Sequence, residues 1–312
     1  MSILVTWSIA FDYIMDFQDR FKNHILPDKI HILNVSFLIN ELKKEKWGTA
    51  TNISYTLSLL WEKPILAGCV WKDYDLDNDL PKNINKKYVL KKESVFTANA
   101  HIMTDLDDNQ ITTFYPWAMM YSWEISINDI KEEIKFAIIS PNEPNAMIKY
   151  IKECKNKNIK TFFDPGQQIT THSKETLLEV MIFSNYLILN DYELNLYANI
   201  TWLSENEVIN SFEKVIVTLW EKWSVIYEKW SKLDIPVVKV ENIVDPTGCW
   251  DSFRWGLLKW LNIWLNWEIS ARIWSLSASY CIQKHWTQNH SFTIGEFENE
   301  FEKNFWIKLK LN

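Results

Sequence analysis

Glycine is what this sequence lacks. Its 312 residues include 6 glycines, where an average chain of that length holds about 22, at a usage of roughly 7%. So few glycines leave few places for left-handed turns and close backbone approaches, yet breaks between apolar runs are frequent. Tryptophan occupies them, 18 times. Trp61 follows the helical run NISYTLSLL, where a helix end usually takes a left-handed residue. Trp220, Trp223 and Trp230 punctuate LWEKWSVIYEKWSK as turn residues do, and Trp47 precedes Gly48 at the mouth of a helix. The 6 glycines and 18 tryptophans together reach the glycine content of an ordinary chain. The pattern predicts that these tryptophans stand for glycines encoded by UGA in a code that assigns it to glycine, written here as tryptophan.

The other scarcities bound the function. Four cysteines (Cys69, Cys154, Cys249, Cys281) form no C-x-x-C pair, which excludes a disulfide framework and predicts buried thiols in a reducing compartment. No apolar run approaches the ~18 residues of a membrane span, and the N-terminus reaches Asp12 without a basic leader, so a cytoplasmic protein without membrane contact is expected. The formal net charge is -7, with lysines scattered among acidic residues. That distribution excludes a stripe for a nucleic-acid polymer. The 6 histidines show no metal-ligand spacing.

What remains is a rhythm of strands and helices. Residues 2–7 read as a first strand, 49–60 as a helix and 64–70 as a strand. SVFTANAHIM and QITTFYP, joined by the polar turn DLDDN, predict a hairpin over 93–115. From 134 the order is strand IKFAIIS, helix 144–157, strand KTFFD, helix 174–183, strand YLILN, helices within 191–212, strand KVIVTL, a hairpin over 224–238, and helices after 250 and 268. Such alternation implies one α/β domain with a mainly parallel sheet covered on both faces. A small β-sheet lid is expected from parts of about 12–40 and 88–118.

Four places have the residue types that chemistry needs. In VDPTGCWDSFRWGLLKW, residues 244–260, Pro246 and Gly248 break regular structure just before a helix, so the N–H groups of Gly248, Cys249 and Trp250 suit an anion. Asp251 in the first turn either accepts a proton from an attacking hydroxyl or simply caps the helix. After strand YLIL, Asn190 and Glu193 lie on one face of a first helical turn, and fit either a hydrated Mg²⁺ or a capping box. K-W-G-T-A-T-N, residues 46–52, becomes a diglycine helix entry if Trp47 is glycine, with Asn52 one turn inside and Asp12 available to sugar hydroxyls. Finally, the strand ending at Thr218 runs into W-E-K-W, where Trp220 and Trp223 would make a G-E-K-G turn able to pass close to a nucleotide. The aromatics of the 93–115 hairpin read as lid core, with base stacking as the alternative.

With tryptophan read as glycine, D-P-T-G-C-G-D-S-F-R-G-G resembles the C-terminal signature of the ribokinase-like (PfkB) carbohydrate and nucleoside kinases. The early G-G-x-x-x-N, the N-x-x-E and the T-L-G-E-K-G turn follow in the family's order, so the resemblance spans the whole chain. The N-terminal stretch from Ser8, the lid segment QITTFYP and FFDPGQQ are similar to the bacterial adenosine kinase and broad-specificity nucleoside kinase branch.

The resemblance implies a Rossmann-type three-layer α/β fold with a β lid, and transfer of the γ-phosphoryl of ATP, with Mg²⁺ and a monovalent cation such as K⁺, to a nucleoside hydroxyl. By it, Asp251 is the base and Gly248, Cys249 and Trp250 form the anion hole, with Cys249 replacing a more usual alanine. Asp12, Trp47, Gly48 and Asn52 form the ribose site; Asn190 and Glu193 hold Mg²⁺ through water; Thr218, Trp220 and Trp223 face ATP. A monomer or homodimer is implied. The tryptophans at 7, 47, 220, 223, 250 and 255 depart from family glycines. With real indoles the implied alternative is an inactive, kinase-shaped binding protein, and a sugar kinase of the same fold is the other.

Overall fold

The structure is a computed structural model that describes residues 2–6, 8–59, 62–107, 109–219, 224–229, 231–240, 243–244, 266–284 and 289–311, with the backbone alone at Lys29, Trp47, Thr49 and Ala50. Strand β1 (Ser2–Thr6) lies inside a nine-stranded sheet, between β4 (Ile65–Trp71) and β8 (Ile134–Ile139). Beyond β4 the sheet ends in β5 (Asn85–Lys92). On the other side follow β9 (Lys160–Phe163), β10 (Tyr186–Asn190), β11 (Lys214–Thr218), β12 (Ser224–Glu228) and β13 (Ser231–Ile235). All neighbouring pairs from β5 to β11 are parallel, while the pairs β11–β12 and β12–β13 are antiparallel, so β12 runs against the other strands.

The strands ILV, FAII, LIL and VIV are apolar without a break because both sheet faces are covered. Alternate residues go to opposite sides. Ile3, Val5, Ile138, Ile188 and Ile216 face one core with α1 (Thr49–Leu59), α7 (Trp267–Ile282) and α8 (Ile294–Phe305). Leu4, Ile139, Leu187, Leu189 and Val215 face the other, with α3 (Pro144–Asn156), α4 (Lys174–Phe183), α5 (Asp191–Thr201) and α6 (Glu205–Asn210). Cys69, Cys154 and Cys281 are buried, and burial pushes the thiols of Cys69 and Cys154 up to about 12, which suits packing rather than redox chemistry at those two.

A second sheet has the order β3-β2-β6-β7: β2 is Ala10–Asp16, β3 Glu41–Trp47, β6 Ala98–Thr104 and β7 Gln110–Tyr115. The expected hairpin is β6 and β7, paired from Asn99↔Tyr115 to Thr104↔Gln110. Two strands differ from the sequence reading. Glu41–Trp47 extends the lid past residue 40, and residues 88–92 belong to β5, which pairs with β4 in the main sheet. Both are lysine-rich edge strands, where exposed charge replaces an apolar pattern.

The connectivity locates the site. From β1 the chain moves outward to β4 and β5, then returns to β8 and proceeds the opposite way. Between β1 and β8 the order therefore reverses, and the crevice outside the carboxyl ends there is where open α/β sheets bind ligands.

Candidate active site

Asp12 sits two residues into β2, close beyond the end of β1, and is 1% exposed. Neither carboxylate oxygen has a hydrogen-bond partner. Burial alone raises its pKa to about 7. An unpartnered buried carboxylate costs free energy unless donors reach it, and both oxygens of this one remain able to accept hydrogen bonds.

The lid register arranges other groups around it. Asp12 is paired with Ala100 of β6, and Ala100 with Phe114 of β7. Directly opposed residues share a sheet face, so the Phe114 ring, 50% exposed, stands about 10 Å across that face from Asp12, two strand spacings away. Small alanines lie on that face at 10, 98 and 100.

Gly48 closes the lid against α1. Its φ is +107°, and a Cβ there would lie 2.4 Å from the Ser8 carbonyl and 2.9 Å from the Ala10 nitrogen. Its own carbonyl accepts the N–H groups of Thr51 at 2.9 Å and Asn52 at 3.1 Å and the Thr51 hydroxyl at 2.7 Å. The structure thus brings Gly48 beside the start of β2, with Asn52, 1% exposed, in the first turn of α1. Trp47 pairs with Ala10 through its backbone.

At the other end of the crevice Asn190 ends β10 and is in register with Thr218 at the end of β11. Asn190 Oδ1 accepts the Glu193 N–H at 2.7 Å, and Glu193 Oε2 accepts the Asn190 N–H at 2.9 Å. This is the capping box that the spacing allowed. The arrangement commits the only side-chain oxygen of Asn190 and one oxygen of Glu193, and leaves Glu193 Oε1, a hard oxygen donor, for other partners. Among the described residues no group of three or more His, Cys, Asp or Glu could hold a metal directly. Three strand spacings, about 14 Å, separate β1 from β10.

Between the two ends lies a polar cluster that the sequence reading did not single out. Ser140 and Asn142 follow β8, while Asp164, Gln168 and His172 follow β9; Ser140 donates to Asp164 at 3.3 Å. Gly166, at φ +49°, packs against Pro141, whose Cγ a Cβ would approach to 2.8 Å. Asn142 Nδ2, Gln168 Oε1 and both His172 ring nitrogens are buried without a partner. Burial pushes the His172 pKa down, with Glu143 opposing it. The available signal was P-N-E-P after one strand and D-P-G after the next, both at strand ends.

Six of the expected site residues lie outside the described residues: Gly248, Cys249, Trp250, Asp251, Trp220 and Trp223. The expected helix after 250 and the tryptophans at 7, 61, 230 and 255 lie outside them as well. No helix among the described residues is long and apolar enough to cross a membrane.

Comparison with known proteins bears on the family and the fold. The sequence pattern of the pfkB family carbohydrate kinases matches residues 23–293. A nucleoside kinase of Methanocaldococcus jannaschii is 31% identical over 278 residues, covering 86% of this chain and 90% of that protein. The structure of Burkholderia thailandensis nucleoside kinase in complex with inosine has a TM-score of 0.87 and 33% identity, covering 98% of this chain and 99% of the other. The same kinase has also been solved in complex with ADP-inosine (TM-score 0.85, 34% identity, 99% and 98% covered). A ribokinase of Thermotoga maritima, at 19% identity and a TM-score of 0.77 over 97% of this chain and all of that one, shares the fold. The chain belongs to the pfkB family of carbohydrate kinases, phosphotransferases with an alcohol group as acceptor.

Proposed function

We propose that the chain is an ATP-dependent nucleoside kinase that phosphorylates the 5′-hydroxyl of adenosine or a related nucleoside, releasing the nucleoside monophosphate and ADP. The observation that carries this reading is Asp12, a fully buried carboxylate with no partner on the face of the lid that also presents Phe114. A ribose offers vicinal hydroxyls to the first and an attached base offers an aromatic surface to the second, at a separation that suits a nucleoside. Gly48 and Asn52 border the ribose, Gly48 because only a residue without Cβ fits against Ser8.

In this reading Asp251 accepts the proton of the 5′-hydroxyl as its oxygen bonds to the γ-phosphorus and the bond to the bridging oxygen of ADP breaks. The N–H groups of Gly248, Cys249 and position 250 hold the charge on the moving phosphoryl, a contribution of a few kcal/mol per donor. Thr218, position 220 and position 223 border ATP. Asn190 and Glu193 hold Mg²⁺ through water, and a monovalent cation such as K⁺ belongs to the same set; the ion supplies neutralisation of the phosphates when bound. The orphaned Asn142 amide lies between the two ends, where a substrate spanning them would pass. The inosine and ADP-inosine complexes of the Burkholderia kinase support the choice of substrates. Such an activity belongs to cytoplasmic purine salvage. The test is a panel of adenosine, inosine, guanosine, cytidine, ribose and fructose with MgATP, using protein with glycine at the 18 tryptophan positions. Turnover of a nucleoside is expected; preference for a free sugar would replace this reading with a sugar kinase.

A further inference from the structure

Two helices end on tryptophan in a conformation that tryptophan disfavours. α5 closes at Trp202, with φ 61° and ψ 30°, and α8 closes at Trp306, with φ 59° and ψ 24°. At the first, the Leu203 N–H donates to the Ala198 carbonyl at 3.1 Å and the Trp202 N–H to the Asn199 carbonyl at 3.4 Å, the two bonds of a Schellman motif. At the second, the Trp306 N–H donates to the Glu302 carbonyl at 2.8 Å, the single bond of the simpler left-handed cap. Both motifs place one left-handed residue just past the helix, and glycine is the usual occupant because any Cβ there crowds the following carbonyl.

A third helix shows the ordinary alternative. α3 ends with Asn158 at φ 56°, and the Ile159 N–H reaches the Cys154 carbonyl at 2.9 Å. Asparagine is the customary second choice at this position. Tryptophan has neither the small side chain nor the local hydrogen bond that excuses asparagine.

The two indoles also lie in solvent. Trp202 is 82% exposed and Trp306 91%. Lys174 Nζ lies 3.4 Å from the centroid of the Trp202 ring, an exposed contact. The fold therefore uses the backbone of a glycine at both positions and buries neither side chain. Trp274 is different, being fully buried. Its α7 neighbours Ser270, Ala271, Ser275, Ser277, Ala278 and Ser279 are all small and buried, so the indole interrupts a surface otherwise suited to close helix packing.

We propose that positions 202 and 306 are glycine in the protein made by its own cell, and that all 18 tryptophans share one origin, UGA codons assigned there to glycine. The consequence for the site rests on the kinase reading: positions 47, 220, 223, 250 and 255 of its motifs are then glycine in sequence. The proposal itself is independent of that activity.

Three measurements test it. The gene is sequenced, protein from its own cells is digested and the peptides spanning 202 and 306 are weighed, and the intact protein is excited at the red edge of indole absorption. UGA at every position, glycine masses and no tryptophan emission are expected. UGG at any of the 18 positions overturns the single origin, and a tryptophan mass at 202 or 306 overturns the proposal outright. In a recombinant chain carrying the indoles, Trp202→Gly and Trp306→Gly should each raise the folded-to-unfolded ratio on the order of threefold, the left-handed relief exceeding the extra entropy of glycine. A fall in that ratio for both contradicts the argument from the caps. A glycine-bearing protein that phosphorylates no nucleoside would refute the kinase reading and leave the codon result standing.

Discussion

Asp12→Asn should make the ligand-free protein more stable at neutral pH and less able to bind nucleoside. The wild-type carboxyl moves from 3.8 in an unfolded chain to about 7 in the fold. That shift corresponds to about 4 kcal/mol, at 1.36 kcal/mol per pKa unit. Its sign follows from proton binding. Between these two values the native state keeps the proton that the unfolded state has lost, so stability falls as pH rises through the window and the whole cost is present above pH 7. Asparagine keeps the shape without the charge. Urea unfolding should therefore separate variant from wild type by less than about 1 kcal/mol near pH 4 and by about 4 kcal/mol near pH 8. Nucleoside hydroxyls donate to the ionised carboxylate and favour it, so the wild type should release a proton on binding below pH 7, while the variant releases none from this residue. Equal stability differences at both pH values would refute the claim that Asp12 is buried without partners.

Three further outcomes follow from the same site. Gly48→Ala puts a Cβ 2.4 Å from the Ser8 carbonyl at φ +107°; a loss of about 2–4 kcal/mol is expected from strain and overpacking, read as a lower unfolding midpoint, and unchanged stability would mean that the 48–52 turn is not held as described. Phe114→Ala should raise KM for a nucleoside about tenfold with a smaller change in kcat, in line with ~1–3 kcal/mol for a stacked base; an unchanged KM would remove Phe114 from the base site. Glu193→Gln preserves the cap geometry but not the charge, so the Mg²⁺ concentration for half-maximal rate should rise at least about tenfold, whereas an unchanged requirement would leave Glu193 as a cap alone.

Much of the fold was legible because the strands of the main sheet are short apolar runs closed by polar breaks. IKFAII, KTFF, YLILN and KVIVT stand in the structure where the alternation placed them. β3 and β5 were not, since ELKKEKW and NKKYVLKK are edge strands whose lysines reach solvent and obscure the period of two. At the site, the Asn190–Glu193 spacing already contained its capping geometry because both partners lie in one helical turn. The cluster of Ser140, Asn142, Asp164 and His172 did not show itself, because two strand ends far apart in sequence meet only through the parallel pairing of β8 with β9. Asp12 reads from its place after the first strand as open to sugar hydroxyls, and by resemblance as part of the ribose site, but its lack of partners is a property of how the lid and core bury it. The left-handed caps at 202 and 306 sharpen the reading of tryptophan as glycine, which composition had raised from other positions.

The central claim is transfer of the γ-phosphoryl of MgATP to a nucleoside 5′-hydroxyl with Asp251 as the base. With label on the γ-phosphate, the account predicts that label appears on the 5′-oxygen of the nucleoside monophosphate, in step with ADP, and that Asp251→Asn abolishes this transfer while the folded protein still binds nucleoside. Label found on a free sugar or in inorganic phosphate, with none on any nucleoside, would contradict it, as would near-normal turnover by the Asp251→Asn variant.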